Sequence, residues 1–220
     1  PYNMDGWLLH ETSETQRAKL WQAAVDTMAR YHRVDHQTLA VPGLAEPAAG
    51  GSALQAQLDY WQRYHDWAFD GQRHATGQAA LDWLRRNQPA DEPTTLCWGD
   101  ARLGNMIFTP SLDEVAAVLD WEMAVLGNPV QDIAWFNYLD ANFAEGLGMP
   151  RLPGLPSYED TLAQWEAVSG RSSRDYDYYW IFAGTRYGLI MSRIMFATGQ
   201  AGEVQGNFAV KLLEKYLQRM

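Results

Sequence analysis

Residues 96–122 read LCWGDARLGNMIFTPSLDEVAAVLDWE and gather several reactive side chains in one short span. Asp100 is followed by Arg102 and then Asn105, and Asp120 ends the next apolar stretch. A carboxylate beside a loop can take the proton of an attacking hydroxyl. An Asn side-chain oxygen and a second carboxylate are hard ligands of the kind Mg²⁺ accepts, with its remaining positions left to water and substrate phosphates. A guanidinium between them can meet the charge of a transferring phosphoryl group. A base, two metal ligands and a cation are the parts that phosphoryl transfer needs. Read by itself, Asp100 is also an ordinary turn residue. The combination and its order separate the two readings.

That order is the one protein kinases use: Asp, a basic residue two later, Asn five later, then a metal-binding Asp on the next hairpin. Here the series is Asp100, Arg102, Asn105 and Asp120.

The residues that position this series must come from the elements around it. Thr94–Trp98, Met106–Phe108 and Val115–Leu119 are short strand candidates, the last two joined by the turn TPSLDE. Met106, Ile107 and Phe108 are expected as core strand residues. Everything else with periodicity is helical. Helices are predicted over 13–33, with Ser13 or Thr12 as cap, and over 52–69, 76–86, 158–169, 174–198 and 204–219. Another starts after Pro129. VPGLAEPAAGGS at 41–52 and GLGMPRLPGLPS at 146–157 are Pro- and Gly-rich loops. A mainly helical body therefore carries one small β element, and the polar cluster sits on it.

Composition narrows the classes. The 220 residues carry a formal net charge of −10, which disfavours a nucleic-acid surface. A polyphosphate remains accessible if a divalent metal supplies the positive charge. Cys97 is the only cysteine, so no internal disulfide forms, which fits a cytoplasmic protein; its place in an apolar strand predicts a buried, inert thiol. No apolar run is long enough to span a bilayer. The chain starts at Pro1 and reads YNMDGWLLHETSETQ like the middle of a protein, so upstream residues are expected.

The sequence resembles the aminoglycoside phosphotransferase and choline kinase-like superfamily, and within it the branch similar to the kinase-like domain of some acyl-CoA dehydrogenases. WGDARLGN matches the family's His-Gly-Asp with Asn five after the Asp. LDWE matches its Ile/Leu-Asp-Trp/Phe-Glu motif, and GNPVQDIAW its Gly-Asp-Pro-x-x-Asp-Leu-Ala segment. ARYHRVD resembles its Leu-His-x-x-Asp helix end. The resemblance implies a mostly helical α+β chain, the C-terminal lobe of a protein-kinase-like fold over residues 1–220, with a small β-hairpin carrying the catalytic loop. It implies an ATP- and Mg²⁺-dependent transfer of the γ-phosphoryl group to a hydroxyl of a small molecule. Asp100 would be the base, Arg102 would face the γ-phosphate, and Asn105 and Asp120 would bind Mg²⁺ and with it the nucleotide. Asp132 would brace the catalytic loop, and Trp98, standing where the family has His, would support it. Asn128 replaces the usual Asp before Pro129, a change expected to affect only a turn. The β-sheet, phosphate-covering loop and Lys of the family's N-terminal lobe do not appear. The missing lobe would be a partner, and this chain alone would be inactive.

Acceptor sites in the superfamily lie among C-terminal helices, which points to Tyr138, Trp180, Arg186 and Glu122 as pocket candidates. Glu122 and Asp140 are either attractors for a cationic acceptor or solvated carboxylates. His32 and His36 are read as a helix end and a solvated residue rather than metal ligands. Two rival functions stand beside phosphotransfer: a catalytically silent kinase-like binding module, favoured by Trp98 and the absent lobe, and a metal-dependent phosphohydrolase.

Overall fold

The computed structural model describes residues 2–38, 44, 51–90, 93–199 and 207–219. Most of the loop expected at 41–52, and the first three residues of the helix expected at 204–219, lie outside them. The chain divides into two compact units, Pro1–Ala45 with Pro93–Arg174, and Glu46–Glu92 with Asp175–Met220.

The first unit holds the polar cluster. A short helix, α1 (Trp7–His10), lies in a segment where no element was expected. Helix α2 (Glu14–Tyr31) starts where Ser13 accepts from the Gln16 amide and the Gln16 side chain accepts from the Ser13 amide, satisfying two orphan donors reciprocally. α5 (Val130–Phe143) follows Pro129, and α6 (Tyr158–Ser169) starts at a Ser157 cap and stops at Gly170 in the left-handed region. α2 packs on α6 and α5. Trp21 binds the pair together: its indole N–H donates to Thr161 Oγ1 at 2.9 Å, and its ring meets Phe136 edge-on at 4.5 Å. Every residue of α5 from Val130 to Asn142 is buried, so this helix carries no solvent face.

The β structure differs from one hairpin element. β2 (Met106–Phe108) and β3 (Val115–Val118) do form an antiparallel hairpin, with a register shift between Ile107 and Phe108. β1 (Thr95–Cys97) instead pairs with β4 (Val125–Gly127), a strand that three residues of sequence did not announce. The segment 98–105 thus bridges two separate two-stranded sheets. Met106 is buried, but Ile107 points outward at 49% exposure, so the hairpin contributes alternate residues to the core rather than all three.

The second unit is helical: α3 (Ala53–Ala68), α4 (Ala75–Arg86), α7 (Tyr176–Ala197) and α8 (Phe208–Leu217). α7 packs on α3, α4 and α8 and buries Tyr178, Tyr179, Trp180, Phe182 and Tyr187, the packing role expected of most of its aromatic residues.

Candidate active site

The turn 98–105 is held in place from α5. Asp132, fully buried in the first turn of α5, accepts from the Trp98 amide at 2.6 Å and the Gly99 amide at 3.0 Å. It also accepts from His32 Nε2 at 3.0 Å and from the Tyr31 hydroxyl at 3.2 Å. Its charge is thereby taken up by four donors in addition to the α5 dipole, the condition for burying a carboxylate. Gly99 is obligatory: at φ +91° a Cβ would come within 2.1 Å of the Met123 carbonyl oxygen. Asn128 sits in the turn before α5, its Oδ1 accepting from the Val130 amide at 3.0 Å.

His32 is not a metal ligand. Both ring nitrogens are committed, Nε2 to Asp132 and Nδ1 to the Trp165 indole N–H at 3.0 Å. Since an indole only donates, Nδ1 accepts and the proton sits on Nε2. Burial holds the His32 pKa below its ordinary value, with the Asp132 carboxylate opposing. The unfolded chain therefore binds a proton that the fold refuses. Stability is full above about pH 6.5, the unfolded histidine range, and falls as pH drops from there toward the lowered folded value. The difference in urea midpoint between the native protein and His32→Gln is expected to shrink between pH 7.5 and pH 5; a constant difference would show that His32 does not titrate this way.

Of the expected site residues, Asp100, Arg102 and Asn105 meet at one turn and Asp120 is tied to it through the backbone. Asp100 Oδ2 accepts from Asn105 Nδ2 at 2.7 Å and from Arg102 Nε at 2.9 Å, and Asp100 Oδ1 accepts from the Trp135 indole at 3.0 Å. The Asn105 side-chain nitrogen is thus spent on Asp100, which leaves the side-chain oxygen Oδ1 as the atom that could meet a cation. Arg102 has its guanidinium turned back onto Asp100, with its side chain 47% exposed. Asp120 is brought to the group through its backbone. The Leu119 amide donates to the Asn105 carbonyl at 2.9 Å, tying the two strand ends together. Asp120 stands at φ +63°, a conformation that Asp tolerates better than most residues but one that still stores strain. Its carboxylate is exposed.

Trp98 explains its own presence. Its indole N–H donates to the Leu119 carbonyl at 2.8 Å and the Asp120 carbonyl at 3.2 Å, while its ring is fully buried. Trp98 therefore places a ring N–H on the turn that carries Asp120.

Trp135 is the site residue that sequence reasoning passed over. Its signal was available: it stands three residues after Asp132 on α5, so both side chains leave the same face of the helix. The pocket candidates fare differently. Tyr138 is fully buried within α5, and Glu122 is exposed on the turn after β3. Trp180 and Arg186 are buried in the second unit, where the Arg186 guanidinium lies over the rings of Trp61 and Phe182. Asp140 is no solvated carboxylate: it is buried and bonded to Tyr2, Arg151 and Tyr158. Cys97 is buried, its thiol directed at the Gly127 carbonyl at 3.3 Å.

The arrangement has the parts for a bound divalent cation but not a preformed cage. Among the described residues no group of three His, Cys, Asp or Glu side chains could hold a metal. One amide oxygen and one exposed carboxylate fit Mg²⁺, which takes few protein ligands and completes its shell with water and phosphate.

Comparison with known proteins places the chain in a family and a fold. The model of the phosphotransferase enzyme family matches residues 4–167. A probable acyl-CoA dehydrogenase of Arabidopsis thaliana is 28% identical over 228 residues, covering 94% of this chain and 27% of its own length. Human acyl-CoA dehydrogenase family member 11 is 29% identical over 157 residues, covering 66% of this chain and 20% of its own. The chain thus spans about a quarter or less of these relatives. Among solved structures, a presumed aminoglycoside phosphotransferase of Ralstonia eutropha superposes with a TM-score of 0.77 at 23% identity, over 96% of this chain and 68% of its own. A macrolide 2'-phosphotransferase of Brachybacterium faecium gives 0.55 at 15% identity, over 93% and 63%. These likenesses carry the kinase-like, mostly helical α+β fold. With three quarters of its length matched by the family model, the chain belongs to the phosphotransferase enzyme family.

Proposed function

We propose that the protein carrying this chain moves the γ-phosphoryl group of ATP to a hydroxyl of a small molecule. The observation that carries the reading is the bond between Asp100 and Asn105. It joins the base to a metal ligand across one turn, with Asp120 fixed on the adjoining strand end. In this reading the acceptor hydroxyl oxygen forms a bond to the terminal phosphorus, the bond from that phosphorus to the β–γ bridging oxygen breaks, and the hydroxyl proton passes to Asp100. Arg102 and Trp135 keep the Asp100 carboxylate aimed before substrate arrives. Asn105 and Asp120 would hold Mg²⁺, which neutralises phosphate charge when bound. The hydrogen bonds of Trp98 to the Leu119 and Asp120 carbonyls hold the turn that presents the exposed Asp120 carboxylate, which supports the catalytic reading over a silent module.

The test is phosphotransfer from Mg·ATP by the protein at its natural length, against a panel of hydroxyl acceptors. Product formation is expected to require Mg²⁺, and Asp120→Ala is expected to abolish it. Transfer that persists in that variant at unchanged Mg²⁺ demand would refute the assignment. Trp135→Phe keeps the ring and removes the donor to Asp100. A hydrogen bond to a carboxylate is worth about 1.5–3 kcal/mol, so kcat should fall about tenfold to a hundredfold with KM little changed. Equal losses in kcat and melting temperature would mark Trp135 as a packing residue only.

A further inference from the structure

A cavity of about 630 Å³ opens in the first unit beside the catalytic turn. That volume lies within the range of sites that hold small molecules. One end is formed by Arg102, Leu103 and Gly104, the residues between the base and Asn105. Its walls are ring faces and aliphatic chains, among them Trp7, Trp21, Phe136 and Leu139.

The charges in the cavity decide what it can take. Two carboxylates reach it, Asp5 and Asp140. Asp140 has both oxygens occupied, Oδ1 by the Tyr2 hydroxyl and Oδ2 by Arg151 and the Tyr158 hydroxyl at 2.8 Å. Arg151 neutralises it from behind, its guanidinium resting 5.0 Å from the Trp21 ring centroid and 4.5 Å from that of Tyr158. Tyr2 stays a donor, because burial and the Asp140 charge push its pKa well up. Asp5 is almost fully exposed and is bonded to the Gly6 amide and His10. The one lining carboxylate without a cationic partner of fixed charge, Asp5, therefore lies at the solvent rim, and within the cavity Asp140 is neutralised by Arg151. The cavity's one cationic lining side chain, Arg102, is paired with Asp100 through Nε at 2.9 Å and lies at the end where the hydroxyl would react.

We infer that this cavity receives the body of the acceptor, and that the acceptor is an alcohol on an apolar ring or chain rather than a polycationic sugar. The inference rests on the phosphotransfer reading for the word acceptor, and on the cavity lining for the word apolar. Desolvating several ammonium groups against tryptophan and phenylalanine walls, with Asp140 already neutralised and Asp5 only at the rim, is unfavourable. Desolvating methylenes and an aromatic ring there is favourable. Trp7 and Met4 line the cavity yet are 47% and 52% exposed, so they can be truncated with little consequence for folding.

The experiment uses the natural-length protein and a series of ω-phenylalkanols from benzyl alcohol to phenylbutanol, beside a tetra-amino sugar. Binding is read by titration calorimetry and transfer by product formation from Mg·ATP. Affinity should rise about fourfold per added methylene until the cavity is filled. Trp7→Ala should weaken the longest member about tenfold, and Met4→Ala by a smaller factor in the same direction. Asp100→Asn should slow transfer to the phenylalkanols by about a hundredfold or more while leaving their affinity within about twofold. If the amino sugar is phosphorylated and the phenylalkanols neither bind nor compete, with Trp7→Ala silent, the cavity assignment is overturned and phosphotransfer stands. If the phenylalkanols bind in a Trp7-dependent way but no phosphate moves to any hydroxyl, the cavity's ligand class stands and the phosphotransfer reading falls.

Discussion

Asp100→Asn is expected to lower kcat by about a hundredfold to ten-thousandfold, the range that removal of a general base produces. The change is nearly isosteric, and its structural cost is small for a specific reason. The new side chain keeps an oxygen for the Trp135 indole, as Asp100 Oδ1 does at 3.0 Å. What it loses is the oxygen that accepted from both Arg102 and Asn105, where an amide nitrogen would now face two donors. That mismatch is solvent-accessible, since the Asp100 side chain retains 16% exposure, and costs about 1–2 kcal/mol. The expected record is therefore a collapse of kcat, a KM for ATP within about threefold, and a melting temperature lowered by only a few degrees. Turnover within threefold of the native protein would show that Asp100 is not the base. A melting temperature lowered by fifteen degrees or so would show that the loss of activity is a loss of fold.

Asp132→Ala is expected to produce the opposite division: a large loss of stability, with loss of activity as its consequence. The carboxylate is fully buried and accepts from two backbone amides, a histidine and a tyrosine. Its removal strands all four donors in a dry interior. Breaking a buried network by deleting its charged member costs about 3–5 kcal/mol. At about 2–4 °C per kcal/mol for a protein of this size, the melting temperature should fall by roughly 6–20 °C. Asp132→Asn restores volume but sets an amine against donors, so it should recover less than half of that loss. A drop under 2 °C for the alanine variant would mean that the loop 98–105 holds itself and that Asp132 is incidental.

The contrast between these two aspartates shows how far the sequence reading reached. Asp100, Arg102 and Asn105 were found from their types and spacing, because a turn of six residues brings such neighbours together whatever surrounds it. Their mutual hydrogen bonds follow from that proximity. The helices at 13–33, 52–69 and 158–169 were legible for the same local reason: each starts at a serine whose hydroxyl caps it. β4 was not legible, since three residues carry too little periodicity to announce a strand, and its existence depends on β1 offering it an edge. Ile107 was misplaced because alternation in a three-residue strand cannot be phased without its partner. The solvated alternative for Asp140 failed because its partners Tyr2, Arg151 and Tyr158 come from three separate segments.

By itself, then, the amino-acid order determined which groups could do chemistry and that they would share a turn between short strands. Only the tertiary structure decided how that turn is held. Trp98 reaches the Asp120 turn 22 residues on, and Asp132 is reached from His32 across 100 positions. His32 is in turn locked by Trp165 across 133. Hydrogen bonds at such separations are selected by how α2, α5 and α6 pack, not by any pattern within them. The cavity beside the turn has the same origin, because its walls come from the N-terminal segment, α2 and α5 at once. Local spacing sets reactivity through covalent proximity; the shape and charge that choose a substrate arise only when distant faces close on one another.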